Sequence, residues 1–202
     1  MTVNINSLKS FSELSDTGLS SGLEALKCLM TISIDYETIN SAFIEIDNLI
    51  ETIQAQEDIN SPSICLLQSL NGSLEGFILF CSPLEMASFI MQKLKSYTSV
   101  SPLVQEIDFQ QSVMNEWANI FTGNMMASLI SSAQENYIKL SVTEQIYDMK
   151  SAALDFIICQ MASKADLLAV CNGKIKLKSE QPSIDIWIIL NADSELLKKG
   201  DL

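Results

Sequence analysis

Four residues form a polar stripe on the helix predicted from about residue 108 to residue 131. At about 100° per residue, the stripe is about 60° wide, and its members are Ser112, Glu116, Asn119 and Gly123. A carboxylate can pair with a cation, and an amide can donate and accept hydrogen bonds at the same time. Most stripes of this kind are only the solvated side of an amphipathic helix, so the spacing alone leaves a plain surface as the simpler interpretation.

The composition excludes several kinds of catalytic site. The 202 residues include no histidine and no arginine. Without histidine, Ser-His-Asp hydrolysis, histidine phosphotransfer and histidine-ligated zinc are excluded. The cysteine-nucleophile phosphatases need an arginine to clamp phosphate, so their mechanism is excluded too. Neither glycine-rich nucleotide motif occurs, so any phosphate chemistry needs cationic groups from elsewhere.

The charge and the cysteines indicate a compartment and a class of partner. A net charge of −13 argues against nucleic acid and anionic membranes, because both require a basic surface. No apolar run is long enough for a membrane helix, and the first residues do not resemble a targeting segment. The five cysteines include no C-x-x-C pair, which is typical of reduced, buried thiols. We expect a soluble, cytoplasmic protein that binds a protein or a small ligand.

The elements that must position the stripe can be predicted from hydrophobic periodicity. The opposite side of the helix is apolar and is predicted to face the core, through Val113, Trp117, Ile120, Phe121 and Met125. Another helix is predicted over residues 150–162. Apolar, β-branched runs predict strands near 29–34, 63–70, 74–81, 137–146, 167–177 and 183–190. Helices that alternate with hairpins predict an α+β fold, with long helices packed on an extended, largely antiparallel β-sheet.

The same order of elements occurs twice along the chain. Residues 13–26 align with residues 116–129 without a gap, and residues 74–80 resemble residues 184–190 in sequence. Ordered similarity of this kind predicts two pseudo-symmetric halves. The predicted boundaries are those of one domain, 1–202, with halves of roughly 5–99 and 100–202.

The polar stripe, extended by Asn124, resembles the signature of a known family. The string Ser112-x-x-x-Glu116-x-x-Asn119-Ile-x-x-Gly123-Asn124 is similar to that of the CheC, CheX and FliY phosphatases of bacterial chemotaxis, which carry Asp or Ser, then Glu, then Asn at this spacing. The likeness continues through residues 148–155, 183–190 and, in the first half, 71–79. It covers most of the chain.

This resemblance implies a phosphatase that hydrolyses the phosphoaspartate of a CheY-like response regulator. Asn119 would position the attacking water, Glu116 would pair with a lysine of the regulator, and Ser112 would have a supporting role. Phosphoryl transfer depends mainly on positioning and charge stabilisation. The chain itself is expected to bind no metal or other cofactor, and Mg²⁺ is expected in the phosphorylated partner.

Two features depart from the family pattern. Family members usually open the strand that follows the asparagine with a proline, whereas this chain has Ser141-Val142-Thr143 there. In the first half the matching positions are Glu13 and Asp16, so an acid replaces the asparagine and would repel a phosphoryl group. We expect this degenerate second site to be weak or silent.

A non-catalytic adaptor is the alternative interpretation. Such a protein would have the same fold and would bind a receiver domain, a flagellar switch protein or a CheD-like deamidase through the same helices. Asp16 and Thr143 depart from the pattern of the phosphatases, and these departures keep the adaptor interpretation open. A plain structural protein would require the likeness over most of the chain to be a coincidence.

Overall fold

The computed structural model describes residues 5–30, 33–55, 58–95, 106–132, 137–177, 182–195 and 197. Its α-helices are α1 (Ile5–Met30), α2 (Leu49–Gln54), α3 (Leu84–Lys95), α4 (Glu106–Ser132) and α5 (Lys150–Met161). Its strands are β1 (Asp35–Glu45), β2 (Pro62–Gly72), β3 (Gly76–Pro83), β4 (Ile138–Leu140), β5 (Glu144–Met149), β6 (Leu167–Lys176) and β7 (Ile184–Asn191). A 3-10 helix, Ile46–Asn48, joins β1 to α2.

The described strands form one seven-stranded sheet. Their order is β1-β6-β7-β3-β2-β4, and β5 also pairs with β2. Every pairing is antiparallel. Strand β4 pairs with residues 70–72 of β2 and β5 with residues 62–67, so these two short strands share one edge of the sheet. The predicted α+β class with a largely antiparallel sheet is confirmed.

The strand order has the pseudo-symmetry that the repeated elements predict. Strands β3 and β7 pair at the centre, β2 and β6 flank them, and β1 lies at one edge as β4 and β5 lie at the other. If each strand is replaced by its counterpart in the other half, the same order results, counted from the opposite edge of the sheet. The boundary predicted between residues 99 and 100 lies outside the described residues.

Each face of the sheet is covered by its own apolar core. Helices α1, α3 and α4 pack on one face, for example through Leu19, Ile90 and Phe121. Helices α2 and α5 pack on the other face, for example through Ile53 and Leu154. Burial of apolar surface is the main force that holds such layers together. It places α1 and α4, the two helices of the repeat, side by side on the same face.

An aromatic cluster fixes the rotation of α4 about its own axis. The Phe80 ring on β3 lies 5.4 Å from the Trp117 ring and 5.1 Å from the Phe121 ring, both in edge-on geometry. Trp117, Phe121 and Met125 are fully buried, while Val113 and Ile120 are half-buried. The predicted core side of this helix is therefore confirmed, and its opposite side is left toward solvent.

Helices α1 and α4 come close together at a glycine. A Cβ atom added at Gly22 would lie 2.9 Å from the carbonyl oxygen and from ring atoms of Phe121. One position earlier, the Ser21 hydroxyl donates to the carbonyl oxygen of Asn124 at 3.2 Å. Because Gly22 has no side chain, the backbone of α1 can lie directly against the backbone of α4.

Two strand predictions were wrong. Residues 29–30 belong to α1 rather than to the strand predicted near 29–34, because the helical spacing of Leu23, Leu26 and Met30 continues into the core; residues 33–34 form no strand, and residues 31–32 lie outside the described residues. The strand predicted over residues 137–146 is interrupted at residues 141–143, between β4 and β5. The thiols also differ from expectation: Cys65, Cys81 and Cys171 are buried, but Cys28 and Cys159 are exposed.

No helix among the described residues is both long and apolar enough to cross a membrane.

Candidate functional site

The polar stripe of α4 lies on the outer surface of its helix. Ser112, Glu116, Asn119 and Gly123 are all exposed, as the helical periodicity predicted. The Glu116 carboxylate has no ion pair and no hydrogen bond within the part of the chain that the structure describes. An anionic group is therefore available there to a cation of a partner.

The side chain of Asn119 is exposed and yet held by two hydrogen bonds. Its Oδ1 atom accepts one from Gln68 Nε2 at 3.0 Å and one from Thr143 Oγ1 at 2.8 Å. Both lone pairs of the amide oxygen are then used. The Nδ2 group has no acceptor among the described residues, so its two N–H bonds remain available to a ligand.

The first of these two donors is buried under α4. Gln68, on β2, is only 2% exposed. Its Oε1 atom lies 2.5 Å from the hydroxyl of Thr122, a fully buried residue one turn beyond Asn119, and the same hydroxyl lies 2.8 Å from the carbonyl oxygen of Ala118. A buried amide of this kind is stable only when its polar atoms are paired. Gln68 therefore links the sheet to the exposed amide.

The segment between β4 and β5 supplies the other contacts. Gln68 Nε2 also donates to the carbonyl oxygen of Ser141 at 3.3 Å. Ser141 is tied to β2 because its N–H donates to Ser69 O, and Ser69 N–H donates to the Ser141 hydroxyl, both at 2.9 Å. This attachment brings Thr143 to the Asn119 oxygen. The residues that replace the expected proline thus form part of the site.

Strand β5 extends the same surface toward the start of α4. Gln145 Nε2 donates to Asn115 Oδ1 and to the carbonyl oxygen of Gln111, each at 2.7 Å. The Tyr147 hydroxyl donates to Gln145 Oε1 at 2.9 Å, and desolvation raises the pKa of this phenol. Tyr147 nevertheless remains 52% exposed, and Val142 is 81% exposed. Apolar groups therefore border the polar stripe.

The matching positions of the first half form a different site. The Asp16 carboxylate accepts a hydrogen bond from Thr38 Oγ1 at 2.5 Å, and Glu13 forms a 3.7 Å ion pair with Lys9 on the helix surface. An open groove of about 550 Å³ lies over Asp16, and it is lined by Leu8, Lys9, Ser12, Asp16, Thr38, Asn40 and Ser41. Both half-sites thus pair the residue on the helix with a threonine that follows the helix.

The contribution of Gln68 and Thr122 was missed from the sequence. A signal existed, since Gln68 is a large polar residue within the apolar run of a buried strand. Thr122 lies on α4 between the core side and the stripe. Its hydrogen-bonding role depends on the strand residue under the helix, which is Gln68. No group of three His, Cys, Asp or Glu side chains that could hold a metal ion occurs within the described residues.

Comparisons with known proteins give structural matches only. No family model matches the sequence, and no curated protein matches it. FliY from Thermotoga maritima has a TM-score of 0.71 at 12% identity, with 99% of this chain and 96% of that chain covered. The FliM middle domain from H. pylori has a TM-score of 0.57 at 12% identity, with 98% and 99% covered.

A further match comes from a complex. A chain of the CheX-CheY-BeF3-Mg complex from Borrelia burgdorferi has a TM-score of 0.52 at 12% identity, with 87% of this chain and 95% of that chain covered. At such identities the matches establish the fold rather than the chemistry. Together they confirm the fold that the sequence motif implied. This chain has the fold of the CheC, CheX and FliY family.

Proposed function

We propose that this protein accelerates hydrolysis of the phosphoaspartate of a CheY-like response regulator in chemotaxis signalling. The observation that carries the proposal is the exposed Asn119 amide, whose oxygen is held by two hydrogen bonds, one helical turn from a Glu116 carboxylate that has no partner among the described residues. Asn119 positions the attacking water, and Glu116 pairs with a lysine of the regulator. Ser112 lies one turn before Glu116 and supports this surface.

The chemistry divides between the two proteins. Water adds to phosphorus, the bond to the aspartyl oxygen breaks, and the products are inorganic phosphate and a free aspartate carboxylate. The transition state gains most from charge stabilisation and alignment. The stripe carries no cation of its own, so the Mg²⁺ and lysine of the regulator supply the positive charge. A neutral amide holds the water without repelling the phosphoryl oxygens, which a carboxylate would do.

The structural matches support this choice of partner. One of the matched structures is a complex of CheX with CheY, BeF3 and Mg²⁺. FliY has the same fold, and its TM-score is higher, at 0.71. The unpaired Glu116 carboxylate also suits a partner that presents a lysine. These points make a phosphorylated receiver the partner to test.

The test is the decay of a phosphorylated, Mg²⁺-bound CheY-type receiver. We expect faster decay with the wild-type protein and a loss of about 100-fold in the added rate with Asn119→Ala. Glu116→Gln should raise KM severalfold, because the attraction to the receiver's lysine is lost. The matched control is Asn48→Ala, which removes an exposed asparagine from the 3-10 helix on the opposite face of the sheet and should leave receiver decay at the wild-type rate. Wild-type decay no faster than the receiver alone would refute the proposal.

An adaptor without catalysis is the second candidate. The first half favours it, since Asp16 cannot serve as a neutral amide, and the FliM middle domain has the same fold. Binding of the receiver, or of a flagellar switch protein or a CheD-like deamidase, without faster decay would support the adaptor. Binding can be measured with a receiver carrying beryllofluoride in place of the phosphoryl group.

A further inference from the structure

A buried chain of hydrogen bonds decides which end of the Asn119 amide faces outward. The Ser141 carbonyl oxygen can only accept, and it lies 3.3 Å from one end of the Gln68 amide. That end must therefore be the Nε2 group. Because the same nitrogen lies 3.0 Å from the Asn119 side chain, Asn119 must present its oxygen to it. The assignment thus rests on a backbone carbonyl whose donor and acceptor character is fixed.

The remaining contacts agree with this orientation. The other end of Gln68 is then Oε1, which accepts from the buried Thr122 hydroxyl at 2.5 Å. The Thr143 hydroxyl donates to the same Asn119 oxygen at 2.8 Å. With two donors on Oδ1, a half-turn of the Asn119 amide would bring N–H groups against the Gln68 Nε2 donor. The unfavourable contact keeps Nδ2 toward solvent.

We infer that Gln68 is a positioning residue for the reaction and that it makes Asn119 act on its partner as a hydrogen-bond donor. The inference rests on the proposed function. Nδ2 carries two N–H bonds, so one can hold the oxygen of the attacking water and the other a phosphoryl oxygen. The water then attacks through its other lone pair. An amide turned the other way would direct Oδ1 at the phosphoryl oxygens and repel them.

The pseudo-symmetric position provides a matched control. Gln68 pairs with Ile78 on β3, Cys171 pairs with Ile188 on β7, and Ile78 and Ile188 pair with each other. Cys171, in the second half of the chain, is therefore the residue that corresponds to Gln68 in the first half, and it is fully buried on the same face of the sheet. A substitution there perturbs the core to a similar depth without touching Asn119.

The kinetic experiment compares Gln68→Met with Cys171→Ala in receiver decay. Methionine keeps the length of glutamine but removes both polar ends, and the Thr122 hydroxyl can then donate to Ala118 O instead. We expect kcat to fall by about 10- to 100-fold in Gln68→Met, with KM unchanged. Cys171→Ala should keep the wild-type kcat. Wild-type kcat in Gln68→Met would overturn the inference while leaving the proposed function intact.

Thr143→Val serves as a second variant, since it removes only one half-buried donor from a connecting segment and should not affect folding. It should lower kcat less than Gln68→Met does, because Gln68 still holds the amide oxygen. The thermal midpoints of all variants check that they are folded. If Thr143→Val lowers kcat and Gln68→Met does not, the inference is wrong about which residue orients the amide.

A measurement without a receiver tests the orientation directly. In ¹⁵N-labelled wild-type protein, the side-chain amide protons of Gln68 should exchange slowly with water and those of Asn119 rapidly. Slow exchange at Asn119 with rapid exchange at Gln68 would overturn the inference even in an active enzyme. If the wild type fails to accelerate decay, the proposed function fails, and this exchange pattern still decides the orientation of the amide.

Discussion

Gln68 and Cys171 occupy corresponding positions in the two halves of the sheet, each one strand away from the central pair of β3 and β7. Gln68, in the first half, donates to Asn119 on α4, the helix above it. The thiol of Cys171, in the second half, lies under α1, and burial raises its pKa. The two half-sites therefore differ beneath the helices as well as on the exposed surface, where Asp16 replaces the asparagine.

Asp16→Asn alone should not create a second working site. The new amide would lack a glutamine beneath it, and Leu19 stands where Thr122 stands on the gap-free alignment of the two helices. Receiver decay should be measured in the Asn119→Ala background, where only the first half could act. We expect the rate to stay at the level of the Asn119→Ala protein.

A clear gain of rate in that double variant would contradict the role given to Gln68, since an unsupported amide would then suffice. Adding Cys171→Gln and Leu19→Thr is the stricter comparison. These two changes supply the missing hydrogen-bonding groups, and only with them is a gain expected.

The sequence predicted the surface of the site better than its interior. The 3.6-residue period of α4 is strong, so both the exposed stripe and the buried Trp117 and Phe121 could be predicted. The contact between Gln68 and Asn119 could not be predicted, because 51 residues separate them and only the register of β2 brings the two together. The course of β4 and β5 was also missed, since the interruption at residues 141–143 depends on hydrogen bonds to Ser69 rather than on a local turn signal.

Tyr147→Ala should weaken the interaction with the receiver rather than the chemistry. Tyr147 is exposed on β5 and connected through Gln145 to the first turns of α4, beside the polar stripe. Tyrosine contributes strongly to interfaces because its ring is large and rigid. We expect KM for the phosphorylated receiver to rise about tenfold with kcat unchanged.

Tyr36→Ala is the control for this measurement. Tyr36 is 39% exposed on β1, at the opposite edge of the sheet, and its loss should leave both constants at their wild-type values. Equal effects of the two substitutions would show that the receiver does not dock along β5.

Gly22→Ala and Gly123→Ala should change stability in opposite directions. The methyl group at residue 22 would meet the carbonyl oxygen of Phe121 at 2.9 Å, and a backbone atom cannot move away as a side chain can. We expect a loss of about 1–3 kcal/mol in the free energy of unfolding. At residue 123 an added Cβ would have no described atom within 4 Å apart from its own helix and chain neighbours, so alanine should stabilise the helix by about 1 kcal/mol.

Urea denaturation of both variants checks this pair of predictions. Stabilisation by Gly22→Ala would mean that α1 and α4 are farther apart than their contact at Phe121 indicates. Destabilisation by Gly123→Ala would mean that this residue is not on an open helix surface.

Asp185→Asn should destabilise the protein strongly. Lys150 and Asp185 form an ion pair with side chains only 9% and 6% exposed, and Lys174 lies 3.9 Å from the other carboxylate oxygen. Asparagine removes the charged partner of this buried ion pair, which costs about 3–5 kcal/mol. The change is measured as the free energy of unfolding in urea.

The control is Glu37→Gln, which breaks the exposed pair between Lys176 and Glu37 at the surface of the same sheet. An exposed pair contributes little, so this variant should unfold like wild type. A larger loss in Glu37→Gln than in Asp185→Asn would contradict the assignment of the buried pair.

The close packing of α1 against α4 has a consequence for how this chain can vary over evolution. The first half can vary at Glu13, which is exposed, and at Asp16, which is half-buried, but it cannot lose α1, because Gly22 contacts Phe121 and α1 shares one apolar core with α4. Selection on the first half then acts through its buried side alone. Its outer positions are free to change or to acquire another partner, while α1 itself is retained because α4 packs against it.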